Sequence, residues 1–138
     1  MDLLRRIERL NRYREREARQ ELLVAERAQE EQEVGLRAAN EAINTGRASR
    51  SDSASEHALT DAWLLRAEVD RRGQEITLLQ RQRDAHERRG TWQSAARDVR
   101  TVERLAEIRE EAEALDSARS AQRVLDDVGA IQWQRRRS

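Results

Sequence analysis

Two histidines, His57 and His86, are the only imidazoles in the chain, and they stand far apart in it. A zinc site needs three or four convergent ligands, and no cysteine and no carboxylate–histidine cluster accompanies either residue. Ser49, Ser51, Ser53 and Ser55 sit in a polar stretch, but no base or oxyanion hole is spaced to activate them. Glu110-Glu111 and Asp126-Asp127 are neighbours in sequence, so on a helix each pair diverges instead of sharing a proton. No glycine-rich phosphate loop is present. These residues predict a non-enzyme that uses no cofactor and no metal. The tryptophans carry more weight. Trp63, Trp92 and Trp133 are hard to bury in a thin protein, and amphipathic aromatics often anchor interfaces. Trp92 suits the flank of a helix pair, whereas Trp63 and Trp133 are predicted to touch partners.

The elements that must carry these residues are helical. Of 138 residues, 39% are charged and only 3% aromatic, with no Phe and no Pro. Such charge can signal disorder, but sustained three- and four-residue apolar spacing in an Ala-, Leu-, Arg- and Glu-rich chain favours long helices. The 27 basic residues, all Arg, balance 27 acidic ones, so no net field draws nucleic acid or membrane. Glu8, Glu15 and Glu17 interleave with the N-terminal arginines, and Arg135-Arg136-Arg137 alone is a small phosphate footprint, so nucleic-acid binding is not expected. No apolar run is long enough to span a membrane, and the N-terminus lacks a signal-peptide core. A soluble cytoplasmic protein without membrane insertion is the expectation.

The last helical run, from Arg97 to Trp133, places Val102, Leu105, Ile108, Ala112, Leu115, Ala118, Leu125 and Val128 mostly three or four residues apart. That is one apolar stripe on a charged helix, and it requires a partner. The first helix offers Leu3, Ile7 and Leu10, then Ala18, Leu22, Ala25, Gln29, Gln32, Leu36, Ala39 and Ile43. The two sets join through Arg14 with steps of four, which predicts a stutter. Residues 1–20 hold seven Arg against four acids, and residues 21–44 hold two Arg against six Glu. The basic tip is either a solvated face or a contact for an acidic surface.

A stop is predicted around Asn44-Thr45-Gly46, with Gly46 at the left-handed position after the helix. Ser53 and Glu56 form a capping box that reopens a helix. Ala62, Leu65, Val69, Ile76 and Leu79 define the next seam, which weakens through Arg83, His86 and Gly90. The fold class is therefore all-α: an antiparallel two-helix coiled-coil hairpin with a longer C-terminal helix. A single domain is expected, with helix 2–44, loop 45–55 and helix 56–135. The alternative is a three-helix bundle broken near Gly90. In the hairpin, helix one reaches only to about residue 103. The stripe from Leu105 to Ile131 is then left without an intrachain partner and becomes a protein-binding surface.

Leu10-Asn-Arg-Tyr-Arg-Glu-Arg-Glu-Ala18, followed by Glu21-Leu22 and Ala25, resembles the N-terminal helix of the flagellar export protein FliJ family. Arg97-Asp-Val-Arg-Thr-Val-Glu-Arg-Leu105 and Gln122-Arg-Val-Leu-Asp-Asp-Val-Gly-Ala-Ile-Gln-Trp133 are similar to that family's final helix. Gln132 stands where Arg is common and Gly129 where Ala is usual. The resemblance covers both helices but not the loop, and it extends to injectisome counterparts (the YscO/SctO type).

The resemblance implies an antiparallel coiled coil shaped like the stalk of rotary ATP synthases. Such a protein serves type III secretion and bacterial flagellum biogenesis from the cytoplasmic face of the inner membrane. Its implied partners are a hexameric export ATPase, an export gate membrane protein and export chaperones. Leu3, Ile7, Leu10, Leu115, Leu125, Val128, Ile131 and Trp133 would enter the ATPase ring, and Trp63 would face the gate. The competing reading is a structural coiled-coil or three-helix scaffold that self-associates through the same seam. Solution scattering separates the folds: a hairpin with an overhang gives a length of roughly 100 Å or more by helix rise, and a bundle about half that.

Overall fold

The computed structural model describes residues 2–49 and 54–137. Two helices account for nearly all of them: α1, Asp2–Ala48 (47 residues), and α2, Ala54–Arg137 (84 residues). They pack antiparallel as an all-α hairpin. Absence of proline lets both run unbroken, and α2 passes Gly73, Gly90 and Gly129 without interruption. The three-helix alternative is not what the chain adopts. No helix among the described residues is long and apolar enough to cross a membrane.

The first helix extends past the expected stop. Gly46 lies inside α1, and no described glycine has positive φ. Ser49 closes the end instead: its backbone N–H and its Oγ both donate to Thr45 O, at 3.0 and 2.8 Å. Gly46 is needed for another reason. A Cβ there would meet the Trp63 ring well inside van der Waals contact, so the missing side chain is the seat for the indole. Of the expected capping box, Ser53 lies outside the described residues, as does Ser51.

The chain divides into two compact units, residues 13–96 and residues 1–12 with 97–138. In the first, Ala18, Leu22, Ala25 and Ile43 of α1 and Ala85 of α2 are buried, Ala85 at 1% exposure. Leu36, Ala39, Leu64, Ala67, Leu78 and Trp92 are half-buried around them. The centre of this seam is polar: Gln32 Nε2 donates to Gln74 O at 3.4 Å, and Gln74 Oε1 is buried with no partner among the described residues. Arg71, also on the seam, is held by Glu68 at 3.2 Å and by Glu75. The hydrogen bond from Arg71 to Glu68 and the two carboxylate charges raise its pKa above the ordinary guanidinium value, so it stays charged.

Exposed ion pairs frame the seam and share one register. Glu26–Arg89 (3.4 Å) and Arg47–Glu68 (2.7 Å) are separated by three whole heptads on each helix. Arg88–Glu21 at 2.9 Å adds a third link. Each contributes about 0–1 kcal/mol at such exposure, so together they select a register more than they stabilise it.

That register corrects two expected seams. On α1 the buried or half-buried positions run Leu4, Glu8, Asn11, Glu15, Ala18 and onward in alternating steps of four and three. There is no stutter through Arg14, and Leu3, Ile7 and Leu10 face outward. On α2 the expected Ala62, Leu65, Val69, Ile76 and Leu79 are all exposed; the seam is Leu64, Ala67, Arg71, Gln74, Leu78, Ala85 and Trp92. The physical reason is length. The expected frame runs out into Arg83, His86 and Gly90, whereas the one that wins continues through Trp92, Ala95, Val99 and Val102.

Ala85 has no room to grow, so Ala85→Leu should destabilise by about 1–3 kcal/mol through overpacking. Leu59→Ser, at a 74% exposed position, should change stability by no more than about 0.5 kcal/mol. Denaturant midpoints followed by circular dichroism measure both.

Candidate partner-binding surfaces

In the unit formed by residues 1–12 and 97–138, Val102 is buried, and Leu4, Glu8, Asn11, Val99 and Ala106 are half-buried. Arg12 donates to Glu103 at 3.5 Å and to Glu8 at 2.9 Å, tying the two helices together. Ala106 is the last residue of α2 that is not exposed; every residue from Glu107 to Arg137 is. The expected overhang is therefore present in the chain, beginning just beyond the expected boundary at residue 103.

The residues assigned to one site by sequence fall into two groups. Leu3, Ile7 and Leu10 flank the paired part of the unit, on the side of α1 next to its seam. Leu105 and Ile108 hold the corresponding flanking positions of α2, each half-exposed. Leu115, Leu125, Val128, Ile131 and Trp133 lie on the free limb, where α1 does not reach. The structure brings all of them to solvent but does not gather them into one pocket.

The limb stays helical through its own side chains. Arg104–Glu107 (3.1 Å), Arg109–Glu113 (3.3 Å) and Gln122–Asp126 (2.9 Å) are contacts one turn apart, each supplying about 0.2–0.5 kcal/mol. At its end Arg137 stacks over the Trp133 ring, 4.6 Å from the centroid, a cation–π contact of about 0.5–1 kcal/mol at an exposed site. None of these needs a neighbouring helix.

The stripe on this limb has an unusual path. From Leu105 through Ile108, Ala112, Leu115, Ala118, Ala121 and Leu125 to Val128, the steps are three, four, three, three, three, four, three. Their mean falls below the helical repeat, so the stripe slips backward and winds roughly 220° round the helix. An ordinary coiled-coil seam would slip by only about 20° per heptad. A straight neighbouring helix cannot follow such a path.

Among the described residues no three His, Cys, Asp or Glu side chains converge as metal ligands. An open groove of about 440 Å³ is lined by Glu17, Glu21, Val24, Ala28, Arg81 and Arg88 among others; its charged groups are rim residues of the helix pair. His86 lines a smaller exposed depression of about 270 Å³ with Leu79 and Arg83. Trp92 lies on the seam and donates its indole N–H to Glu15 at 2.9 Å, a structural use where spacing alone suggested a flank. Trp63 is 47% exposed, and the Cζ3 edge of its ring seats on Gly46.

Periodicity hid the interhelical ion pairs and Gly46's role, because both depend on register across the hairpin and not on spacing along one helix. Gly46→Ala, in a background with Trp92 and Trp133 replaced by Phe, should swing the Trp63 ring off α1. A red shift of Trp63 emission without loss of helical signal is the expected result. No family model, curated protein or solved structure matches this chain.

Proposed function

We propose that this protein is a non-catalytic central-stalk component of a type III export apparatus, flagellar or injectisome. The observation that carries the reading is the free limb of α2, Glu107 to Arg137, exposed throughout and bearing an apolar stripe that winds more than halfway round it. A stripe of that path is poorly served by one straight helix and well served by a receptor that encloses the limb. The ring of a hexameric export ATPase is such a receptor, and it is the partner that the resemblance at Leu10–Ala25 and Gln122–Trp133 implies.

In this reading Leu115, Leu125, Val128, Ile131 and Trp133 contact the inside of the ring, and Leu3, Ile7 and Leu10 with Leu105 and Ile108 meet its entrance. The stalk uses no cofactor. It acts by binding one state of the ring more tightly than another, which favours assembly and turnover. The exposed part of Trp63 is assigned to the export gate membrane protein, and export chaperones dock on the same protein. Its place is in the cytoplasm, peripheral to the inner membrane.

The test is stimulation of a cognate export ATPase by the purified protein. Leu125→Asp combined with Val128→Asp should abolish stimulation while helical content stays nearly unchanged, because both residues are exposed in the free chain. Wild-type protein that neither binds nor stimulates the ATPase would overturn the reading.

A further inference from the structure

The paired region has a weak middle. On α1 the buried residues stop at Ala25 and resume at Ile43, and from 55 to 84 on α2 none is buried. By helix rise the gap on α1 is about 27 Å long. Interhelical ion pairs stand on either side of it, Glu26–Arg89 and Arg47–Glu68. Two glycines meet near its centre. A Cβ at Gly35 would have Gln74 Oε1 as its neighbour at 3.7 Å, so Gly35 lies level with Gly73 and Gln74 of the other helix. That distance is ordinary contact, and a Cβ at Gly73 would meet nothing within 4 Å. Neither helix needs glycine here to fit its neighbour, in contrast to Gly46. Glycine loses more conformational freedom on folding than any other residue, and both helices accept that loss at the same level.

The hydrogen bonds at this level loosen the pair further. Thr77 Oγ1 donates to Gly73 O at 3.0 Å, a bond back along its own helix of the kind that weakens and bends helices. Gln32 Nε2 donates across to Gln74 O at 3.4 Å, so two successive carbonyls of α2 accept from side chains. Gln74 Oε1 is buried without a partner among the described residues, and an unpaired buried acceptor opposes closure because opening lets water reach it. We infer that the belt formed by Gln32, Gly35, Arg71, Gly73, Gln74 and Thr77 is a flexure, where the two helices part and bend while the regions on either side stay paired. Opening there frees no fully buried side chain, hydrates Gln74 Oε1 and leaves Glu26–Arg89 and Arg47–Glu68 intact. It therefore requires less than separation at Ala18 to Ala25 or at Ile43. The flexure lies within residues 13–96 and is independent of the stalk reading, which uses the free limb.

Amide hydrogen exchange of the full-length protein reads local opening directly. Exchange within residues 32–36 and 71–77 should be faster than within 18–25 and 85–92. Gly35→Ala combined with Gly73→Ala, for which both positions have room, should slow exchange in the belt at least about tenfold while the flanks change little. Gly90→Ala also adds a Cβ in open space, but it lies outside the belt and should leave exchange there unchanged. The chain contains no cysteine, so paired spin labels can report the bend. Leu65→Cys and Arg83→Cys place them at exposed positions five turns apart on one side of α2, about 27 Å by helix rise. Their distance distribution should narrow when both glycines become alanine. A belt as protected as its flanks would overturn the inference, as would exchange and label distances indifferent to the two alanines. An effect of Gly90→Ala in the belt equal to that of the pair would overturn it too.

Discussion

The governing constraint is that a 47-residue helix has to partner one of 84 residues. Antiparallel pairing exhausts α1 when α2 has reached Ala106. Beyond that point α2 has only its own chain to sustain it. Helix formation is unfavourable to nucleate and easy to extend, so a long helix already nucleated by packing continues if its residues allow it. Here they do: no proline intervenes, and charged side chains one turn apart pair along the limb. The polar surface of α2 is what permits an unpartnered arm to exist at all.

The paired part pays for its thinness with a sparse interior. Among the described residues only Ala18, Leu22, Ala25, Ile43, Ala85 and Val102 are buried, and three of these are alanines. Burying a Leu, Ile or Val contributes about 1.5–3 kcal/mol, and an alanine far less. The polar centre of the seam, at Gln29, Gln32, Arg71 and Gln74, adds little. Ion pairs on the rim then matter for specificity, since they distinguish one register from another that would bury comparable area. Glu26–Arg89 and Arg47–Glu68 can both form only when α2 presents the frame containing Leu64 and Ala85.

This explains which features were legible from the sequence. The two-helix hairpin, the run Ala18 to Ile43 and the unequal arms follow from spacing and length, which are properties of the chain read along itself. The frame of α2 does not. Ala62, Leu65, Val69, Ile76 and Leu79 are larger and more apolar than the residues that face α1, so a local reading selects them. The winning frame is chosen by its whole length, from Leu64 through Trp92 to Val102, and no short window contains that information. The same logic displaced Leu3, Ile7 and Leu10 in favour of Leu4, Glu8 and Asn11, which continue the register set farther along α1. Gly46 was legible as a special position but for the wrong reason, because the Trp63 ring that occupies its missing Cβ belongs to the other helix.

The frames that lost have physical consequences. A chain that needed only to fold as a hairpin would gain nothing by keeping Leu65, Val69, Ile76 and Leu79 on its outer face, or Leu125, Val128 and Ile131 on a limb without a neighbour. Contiguous exposed apolar surface favours association. The two surfaces also differ in geometry, and geometry restricts what can cover them. Leu65, Val69, Ile76 and Leu79 lie along the side of α2 turned away from its seam. The limb's stripe slips past the coiled-coil repeat and would need contacts from several directions round the axis. One α2 therefore carries three apolar tracks: the seam covered by α1, the outer residues Leu65, Val69, Ile76 and Leu79, and the stripe of the limb, the last two exposed. The chain itself covers only the first.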